Sequence, residues 1–228
     1  MSEEFLRFRD LEWTHTCGLF GCREPGEDGW YLPPIRDDGI MELNEDIWAG
    51  SAGVKGATFL DNEFIYDPHR FLDMTGSKWS VFRKNTRKWP TRSPGQKVYR
   101  RLVKGELEDE CGELLVQWVG DGKVFDPEVL LKFGLFGEYR FGLFLDGRLV
   151  GLNACDLNWE FTNFRLCVDD GSSFIQEHLR WLFYTSSFVL GRDRFVNDGG
   201  NLGSEGLYRF KMKLNPVGVR QVYSFRRK

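Results

Sequence analysis

The sequence predicts an α/β chain built on a mixed sheet, and three observations carry that expectation. From about residue 106 onward, helix-period and strand-period patterns follow one another as helix, helix, strand, strand, strand, helix, strand, helix, strand. Of 228 residues 41% are hydrophobic, with 20 Phe and 8 Trp, which is ample for a buried core. Close to the end, a short strand signal at Arg194 to Val196 runs into the glycine-rich turn Asn197-Asp198-Gly199-Gly200-Asn201-Leu202-Gly203 and then into a helix. Such a strand, turn and helix bring side chains and free backbone N–H groups to one place.

Taken in order, residues 11 to 35 alternate apolar and polar positions around glycine turns and read as strands, ending in the extended Trp30-Tyr31-Leu32-Pro33-Pro34. Met41 to Trp48 reads as a short helix, and Ala57 to Phe59 and Phe64 to Tyr66 as two strands. A helix is expected from about Ser77 to Lys88, with Trp79 and Phe82 on one side and Lys84, Arg87 and Lys88 together on another. Glu106 to Val119 is acidic at its start and apolar at Leu114, Leu115 and Trp118, as a helix with favourable dipole charges should be. Asp126-Pro127 opens a second, shorter helix running to about Phe133.

Tyr139 to Leu145, Leu149 to Leu157 and Phe161 to Val168 are strand-like, the first two joined by the hairpin signal Asp146-Gly147. A single helix is expected from Phe174 to about Val189, burying Ile175, Leu179, Leu182 and Phe183. The last helix puts Leu207, Phe210 and Leu214 on one face and stops at Asn215-Pro216, since proline cannot continue the backbone ladder. A closing strand runs from Val217 to Phe225.

The net charge of −3 and pI of about 5.7 leave no global field toward nucleic acid or membrane, so any such contact must use a local patch. That patch lies between residues 78 and 104, where Lys78, Arg83, Lys84, Arg87, Lys88, Arg92, Lys97, Arg100, Arg101 and Lys104 interleave with Trp79, Phe82, Trp89 and Tyr99. It suits a phosphate-bearing ligand, nucleic acid included, and equally reads as a solvated helix face with its aromatics in the core. The first residues lack the basic and apolar regions of a signal peptide, and no run of ~18 apolar residues occurs, so no transmembrane segment is expected and the cytoplasm is the expected compartment. Five sparse cysteines fit reduced thiols. His15, Cys17 and Cys22 lack a fourth ligand at finger spacing, and no metal is expected.

The run Phe195-Val196-Asn197, Asn201-Leu202-Gly203-Ser204-Glu205-Gly206-Leu207, Phe210-Lys211 and Asn215-Pro216 resembles the closing motif of the phosphatidylglycerol lysyltransferase C-terminal family. Upstream, Phe64-Ile65-Tyr66-Asp67, Gly76-Ser77-Lys78, Arg83-Lys84-Asn85 and Lys88-Trp89 are similar to that family's Tyr-Asp, Gly-Lys and basic-Asn sequence. Here Asn201 stands where the family usually has an acid, and Asp198-Gly199-Gly200 replaces an acid-rich run. The resemblance implies two fused GNAT-type acyltransferase halves, residues 1–105 and 106–228, the helix and strand order of the second being that of a GNAT domain. It also implies transfer of an acyl or aminoacyl group from a phosphate-bearing donor, aminoacyl-tRNA or acyl-coenzyme A, to an amine acceptor.

That chemistry needs a deprotonated amine, a polarised carbonyl and a proton for the leaving group. Asp198 and Glu205 are the candidate bases or amine-binding carboxylates, Asn197 and Asn201 the orienting groups and Tyr208 the proton donor. Each has a plainer role open to it: Glu205 serving the helix dipole, Asp198 shaping the turn, Tyr208 filling the core. Lys84, Asn85, Arg87 and Lys88, with Gly200 and Gly203, are the candidate donor-binding residues. In GNAT proteins the coenzyme A pyrophosphate sits in a glycine-rich turn before the helix that follows the fourth strand. The corresponding turn, Val168-Asp169-Asp170-Gly171-Ser172-Ser173, has two carboxylates and one glycine, which disfavours coenzyme A there and favours aminoacyl-tRNA on the basic patch. Two other readings are an acyltransferase acting on an amine-bearing nucleobase and a non-catalytic GNAT-like binding module.

Overall fold

The computed structural model describes residues 12–16, 19–23, 58–120, 139–157, 161–192, 195–201 and 203–224. The expected Trp30–Pro34 segment and the helices at Met41–Trp48 and after Asp126-Pro127 lie outside these residues. The elements are β1 (Glu12–Thr16), β2 (Leu19–Arg23), β3 (Thr58–Tyr66), α1 (Arg70–Asp73), a 3-10 turn (Ser77–Trp79), α2 (Ser80–Arg92), β4 (Lys97–Leu102), α3 (Glu108–Gly120), β5 (Tyr139–Leu145), β6 (Arg148–Leu157), β7 (Phe161–Asp169), α4 (Ile175–Tyr184), α5 (Ser187–Leu190), β8 (Phe195–Asn197), α6 (Glu205–Lys213) and β9 (Gly218–Ser224). The expected α/β class with a mixed sheet is the one observed: β1 and β2 form a hairpin of their own, and seven strands share a sheet in the order β4-β5-β6-β7-β8-β3-β9. The chain divides into two compact units. One comprises Met1–Tyr66, Asn197–Met212 and Pro216–Lys228, the other Asp67–Val196 and Lys213–Asn215.

The larger unit is organised by the antiparallel run β4, β5, β6, β7. Between β5 and β6, Asp146 and Gly147 both take positive φ, 50° and 81°, the geometry that an Asp-Gly hairpin turn supplies. Because successive side chains alternate across a strand, β6 sends Leu152 and Ala154 to one face and Gly151, Asn153 and Cys155 to the other. On the first face α3 packs Cys111, Leu114 and Leu115 against Leu152, Ala154, Leu166 and Val168. On the second lies α4, close enough that a Cβ at Gly151 would stand 2.7 Å from Leu179 Cδ1. Burial under α3 pushes the Cys111 thiol up to about 11, and Cys155 and Cys167 are likewise buried.

The expected helix from Ser77 starts as the 3-10 turn and continues as α2 to Arg92, a turn beyond the expected end and through Pro90. Trp79 and Phe82 are buried as expected, Lys84 and Arg87 are exposed and Lys88 half-buried. Proline has no N–H, so the carbonyl of Thr86, four residues earlier, loses its helical donor at Pro90. That carbonyl is not orphaned: His178 Nδ1 on α4 lies 2.9 Å from it. The His178 ring also stacks on Trp89, centroids 5.1 Å apart.

The helix expected over 174–189 is two helices. Thr185 and Ser186 break it by competing for backbone groups: Thr185 Oγ1 donates to the Trp181 carbonyl at 2.7 Å, and Ser186 Oγ accepts the Val189 N–H as an N-cap for α5. Ile175, Leu179 and Phe183 are buried as expected, Leu182 only half so, with His178 and Arg180 buried in addition.

In the smaller unit, β3 and β9 pair antiparallel from Thr58↔Ser224 to Ile65↔Gly218, with a register irregularity between Phe59 and Asp61. The two strands expected at 57–59 and 64–66 are thus one, continuing through the polar Asp61-Asn62-Glu63. Phe64, Ile65 and Tyr66 are buried, and so is Glu63. A polar run within a core strand means that partners wait for it.

Candidate functional site

The partners of that run come from the glycine turn. β8 ends at Asn197, and the backbone of Asp198 and Gly199 pairs with Phe64: the Asp198 N–H donates to the Phe64 carbonyl at 3.0 Å, and the Phe64 N–H to the Gly199 carbonyl at 3.2 Å. Gly199 (φ 60°) and Gly203 (φ 69°) occupy left-handed backbone, which the turn needs and which glycine takes without cost. Gly200 is required for closeness instead, since a Cβ there would lie 2.0 Å from Asp61 Oδ2.

Asn197 is fully buried and uses both ends of its amide. Its Oδ1 accepts the Gly199 N–H at 2.9 Å, closing the turn, and its Nδ2 donates to Glu63 Oε2 at 3.0 Å. The next residue, Asp198, is the counter-ion of Lys211: Oδ1 and Nζ are 3.3 Å apart with side chains only 4% and 5% exposed. Lys211 Nζ also donates to the Asp198 carbonyl and stands 5.5 Å from the centre of the Phe64 ring. Tyr66 donates its hydroxyl to the Lys211 carbonyl at 2.8 Å, which ties α6 to β3. Asn201 is buried and accepts from Asn62 Nδ2 at 3.2 Å.

Asn197, Asp198 and Asn201 thus belong to one buried polar frame behind the turn. Glu205 and Tyr208 are on the first turns of α6. Glu205 is exposed and ion-paired with Arg209 at 2.8 Å; Tyr208 is half-buried, its ring edge-on to Phe64 at 5.5 Å. Glu63 and Lys211 were not among the sequence candidates. Lys211 had a signal: it falls on the apolar stripe of Leu207, Phe210 and Leu214, where a lysine is out of place unless paired. Glu63 had only the oddity of its polar run.

The candidate donor-binding residues Lys84, Asn85, Arg87 and Lys88 belong to the larger unit. Asn85 Nδ2 donates to Glu177 Oε1 at 3.0 Å, and Lys88 Nζ lies 4.0 Å from the centre of the Phe174 ring, with Arg92 on the same ring at 4.9 Å. In the turn before α4, Gly171 N–H donates to Asp169 Oδ1 at 2.8 Å and Ser172 N–H to Asp170 Oδ1 at 3.1 Å. Arg148 holds the other Asp170 oxygen at 3.1 Å, and Gln176 Nε2 binds Asp169 Oδ2. The amides that would cradle an anion therefore already hold the chain's own carboxylates. Among the described residues, no group of three His, Cys, Asp or Glu side chains is placed to hold a metal ion, and no helix is long and apolar enough to cross a membrane. Cys17 lies outside the described residues.

No protein-family model and no curated protein matches the chain. Solved structures do. A conserved protein of unknown function from Bacteroides thetaiotaomicron superposes with a TM-score of 0.61 at 16% identity, over 81% of this chain and 68% of that one. The C-terminal DUF2156 domain of a lysylphosphatidylglycerol synthetase from Agrobacterium fabrum gives 0.55 at 14% identity, over 78% of this chain and 62% of that one. L-PGS from Bacillus licheniformis gives 0.55 at 17%, over 79% of this chain and 64% of that one. The chain thus spans less than two thirds of either synthetase structure. The likeness is one of fold: an α/β architecture with a mixed sheet, shared with the C-terminal domain of lysylphosphatidylglycerol synthetase.

Proposed function

We propose that the chain transfers an acyl or aminoacyl group from an activated donor to an amine. The observation that carries this reading is the buried frame of Glu63, Asn197, Asp198 and Lys211 behind the turn that opens α6, in a fold shared with L-PGS. Such a frame fixes the turn and the first residues of α6 without reorganising during a reaction, which is what stabilising a developing charge requires. With Asp198 engaged by Lys211, we assign Asp198, Asn197 and Asn201 to positioning and the proton handling to Glu205 and Tyr208. The amine nitrogen attacks the carbonyl carbon, a C–N bond forms, and the donor's C–O or C–S bond breaks. Glu205 takes the amine proton and Tyr208 gives its proton to the leaving oxygen or sulfur.

An aminoacyl-tRNA donor is favoured over acyl-coenzyme A by the turn before α4, whose amides Asp169 and Asp170 already occupy. Lys84, Asn85, Arg87 and Lys88 are the proposed contacts to the donor's phosphates, while Gly200 and Gly203 serve the turn itself, the one by its close approach to Asp61 and the other by its positive φ. That residues 1–105 and 106–228 are related acyltransferase halves is part of the same proposal.

The test is to incubate the purified chain with mixed aminoacyl-tRNA or with acetyl-coenzyme A and a panel of small amines, peptides, aminolipids and amine-bearing nucleosides, reading amide products by mass spectrometry. Amide formation from aminoacyl-tRNA is expected. An amide formed only on the nucleosides would move the reading to nucleobase modification, and no amide from either donor would reduce the chain to a binding module.

A further inference from the structure

A second cationic site lies in the larger unit, where β4 ends near α5. Arg192 places its guanidinium 3.6 Å from the centre of the Phe188 ring and 5.8 Å from that of Tyr139. Arg101, on β4 at the edge of the sheet, stands 4.7 Å from Tyr139 and 5.8 Å from Phe188. Two like charges converge on the same two rings. Their neighbours are compensated: Arg100 pairs with Glu106 at 2.5 Å and Arg140 approaches Glu108 at 3.9 Å. Among the described residues, no carboxylate lies within ion-pair distance of Arg101 or Arg192.

The platform is rigid. Phe188 is held between Tyr139, centroids 4.8 Å apart, and the buried Phe141 at 5.0 Å, which itself packs on Phe183 and Tyr99. Arg192 is further anchored by donating one N–H to the Phe188 carbonyl. A guanidinium stacked on a ring by its face keeps its in-plane N–H groups for an oxyanion, the fork geometry that matches phosphate.

We propose that Arg101 and Arg192, set on Tyr139 and Phe188, form a phosphate-binding site. Two guanidiniums from two elements converge with no counter-ion among the described residues, and a phosphate between them supplies negative charge with bidentate hydrogen bonds to both. The ligand is a phosphate group, whether of a free polyphosphate or of an RNA strand. The site stands on these contacts alone and does not depend on the transfer reaction, since its test reads binding.

The experiment is isothermal titration calorimetry of the full chain with sodium pyrophosphate and, separately, with an eight-nucleotide oligouridylate at two salt concentrations. Arg101 is exposed, so Arg101→Gln leaves the fold intact, which far-ultraviolet circular dichroism checks. This variant is expected to weaken pyrophosphate binding ~10-fold or more, as the loss of charge-assisted hydrogen bonds does. Arg192→Lys keeps the charge but loses the fork and is expected to fall between parent and Arg101→Gln. If oligouridylate binding also weakens and its salt slope drops by ~0.7, the phosphate belongs to a strand; if only pyrophosphate responds, it is a free phosphate. Either result supports the site. A parent chain that binds neither probe, or an Arg101→Gln variant that binds both as the parent does, overturns it.

Discussion

The carbonyl of Thr86, deprived of its helical donor by Pro90, takes the Nδ1–H of His178 at 2.9 Å. A carbonyl only accepts, so this contact fixes the tautomer: Nδ1 carries the proton. Burial holds the His178 pKa below its ordinary value, against the weaker opposing pull of the Thr86 carbonyl.

The sign of the pH effect follows. Because the folded-state pKa is depressed, the unfolded chain binds a proton that the folded chain refuses, and stability falls as pH drops from ~6.5 toward the folded value. Urea unfolding midpoints measured from pH 7.5 to 5 should decline, and His178→Gln should flatten that decline. An unaltered slope in the variant would mean that His178 titrates alike in both states.

The ion pair of Lys211 and Asp198 is buried on both sides. Lys211→Met takes the ammonium away from a buried carboxylate and should cost ~3–5 kcal/mol in urea unfolding. Adding Asp198→Asn removes the buried negative charge and should restore at least half of the loss. If the double variant is no more stable than Lys211→Met, the pair is not what holds the turn.

Helix α4 lies so close to β6 that Gly151 has no room for a side chain against Leu179. Gly151→Ala should therefore destabilise by ~1–3 kcal/mol, the usual cost of overpacking a filled core. A neutral effect on the unfolding midpoint would contradict the packing.

Much of this fold could be read from patterns. The hairpin of β5 and β6 was legible because Asp146-Gly147 has one suitable turn geometry, and α3 because its apolar period and acidic start agree. The break between α4 and α5 was not, because Thr185 and Ser186 lie within an apolar period that continues across them, and their side chains decide the matter by taking backbone partners. Nor was β3 legible as one strand. Glu63 is a poor strand residue by any local rule, and a partner distant in sequence, Asn197, helps to make its burial tolerable. Of the site, the turn was visible through its glycines. The frame behind it was not, because Lys211 and Glu63 find their partners only once β3, β8 and α6 come together.

The turn before α4 gives a prediction about the donor. Asp169 and Asp170 hold the N–H groups of Gly171 and Ser172, so coenzyme A should bind the parent weakly. The double variant Asp169→Asn, Asp170→Asn removes both charges and should bind coenzyme A several-fold more tightly by calorimetry. Tight binding to the parent, unimproved by the variant, would return acyl-coenzyme A as the donor.

The most direct test is the rate of amide formation in the parent, Glu205→Gln and Tyr208→Phe under single-turnover conditions with saturating donor. Each substitution removes one proton-handling group while nearly preserving shape. If α6 carries the chemistry, transfer falls ~100-fold or more in both, the typical contribution of a general acid or base, and donor affinity stays close to that of the parent. Parental turnover in both variants would contradict the assignment of Glu205 and Tyr208 and, with it, the placement of the reaction at this turn.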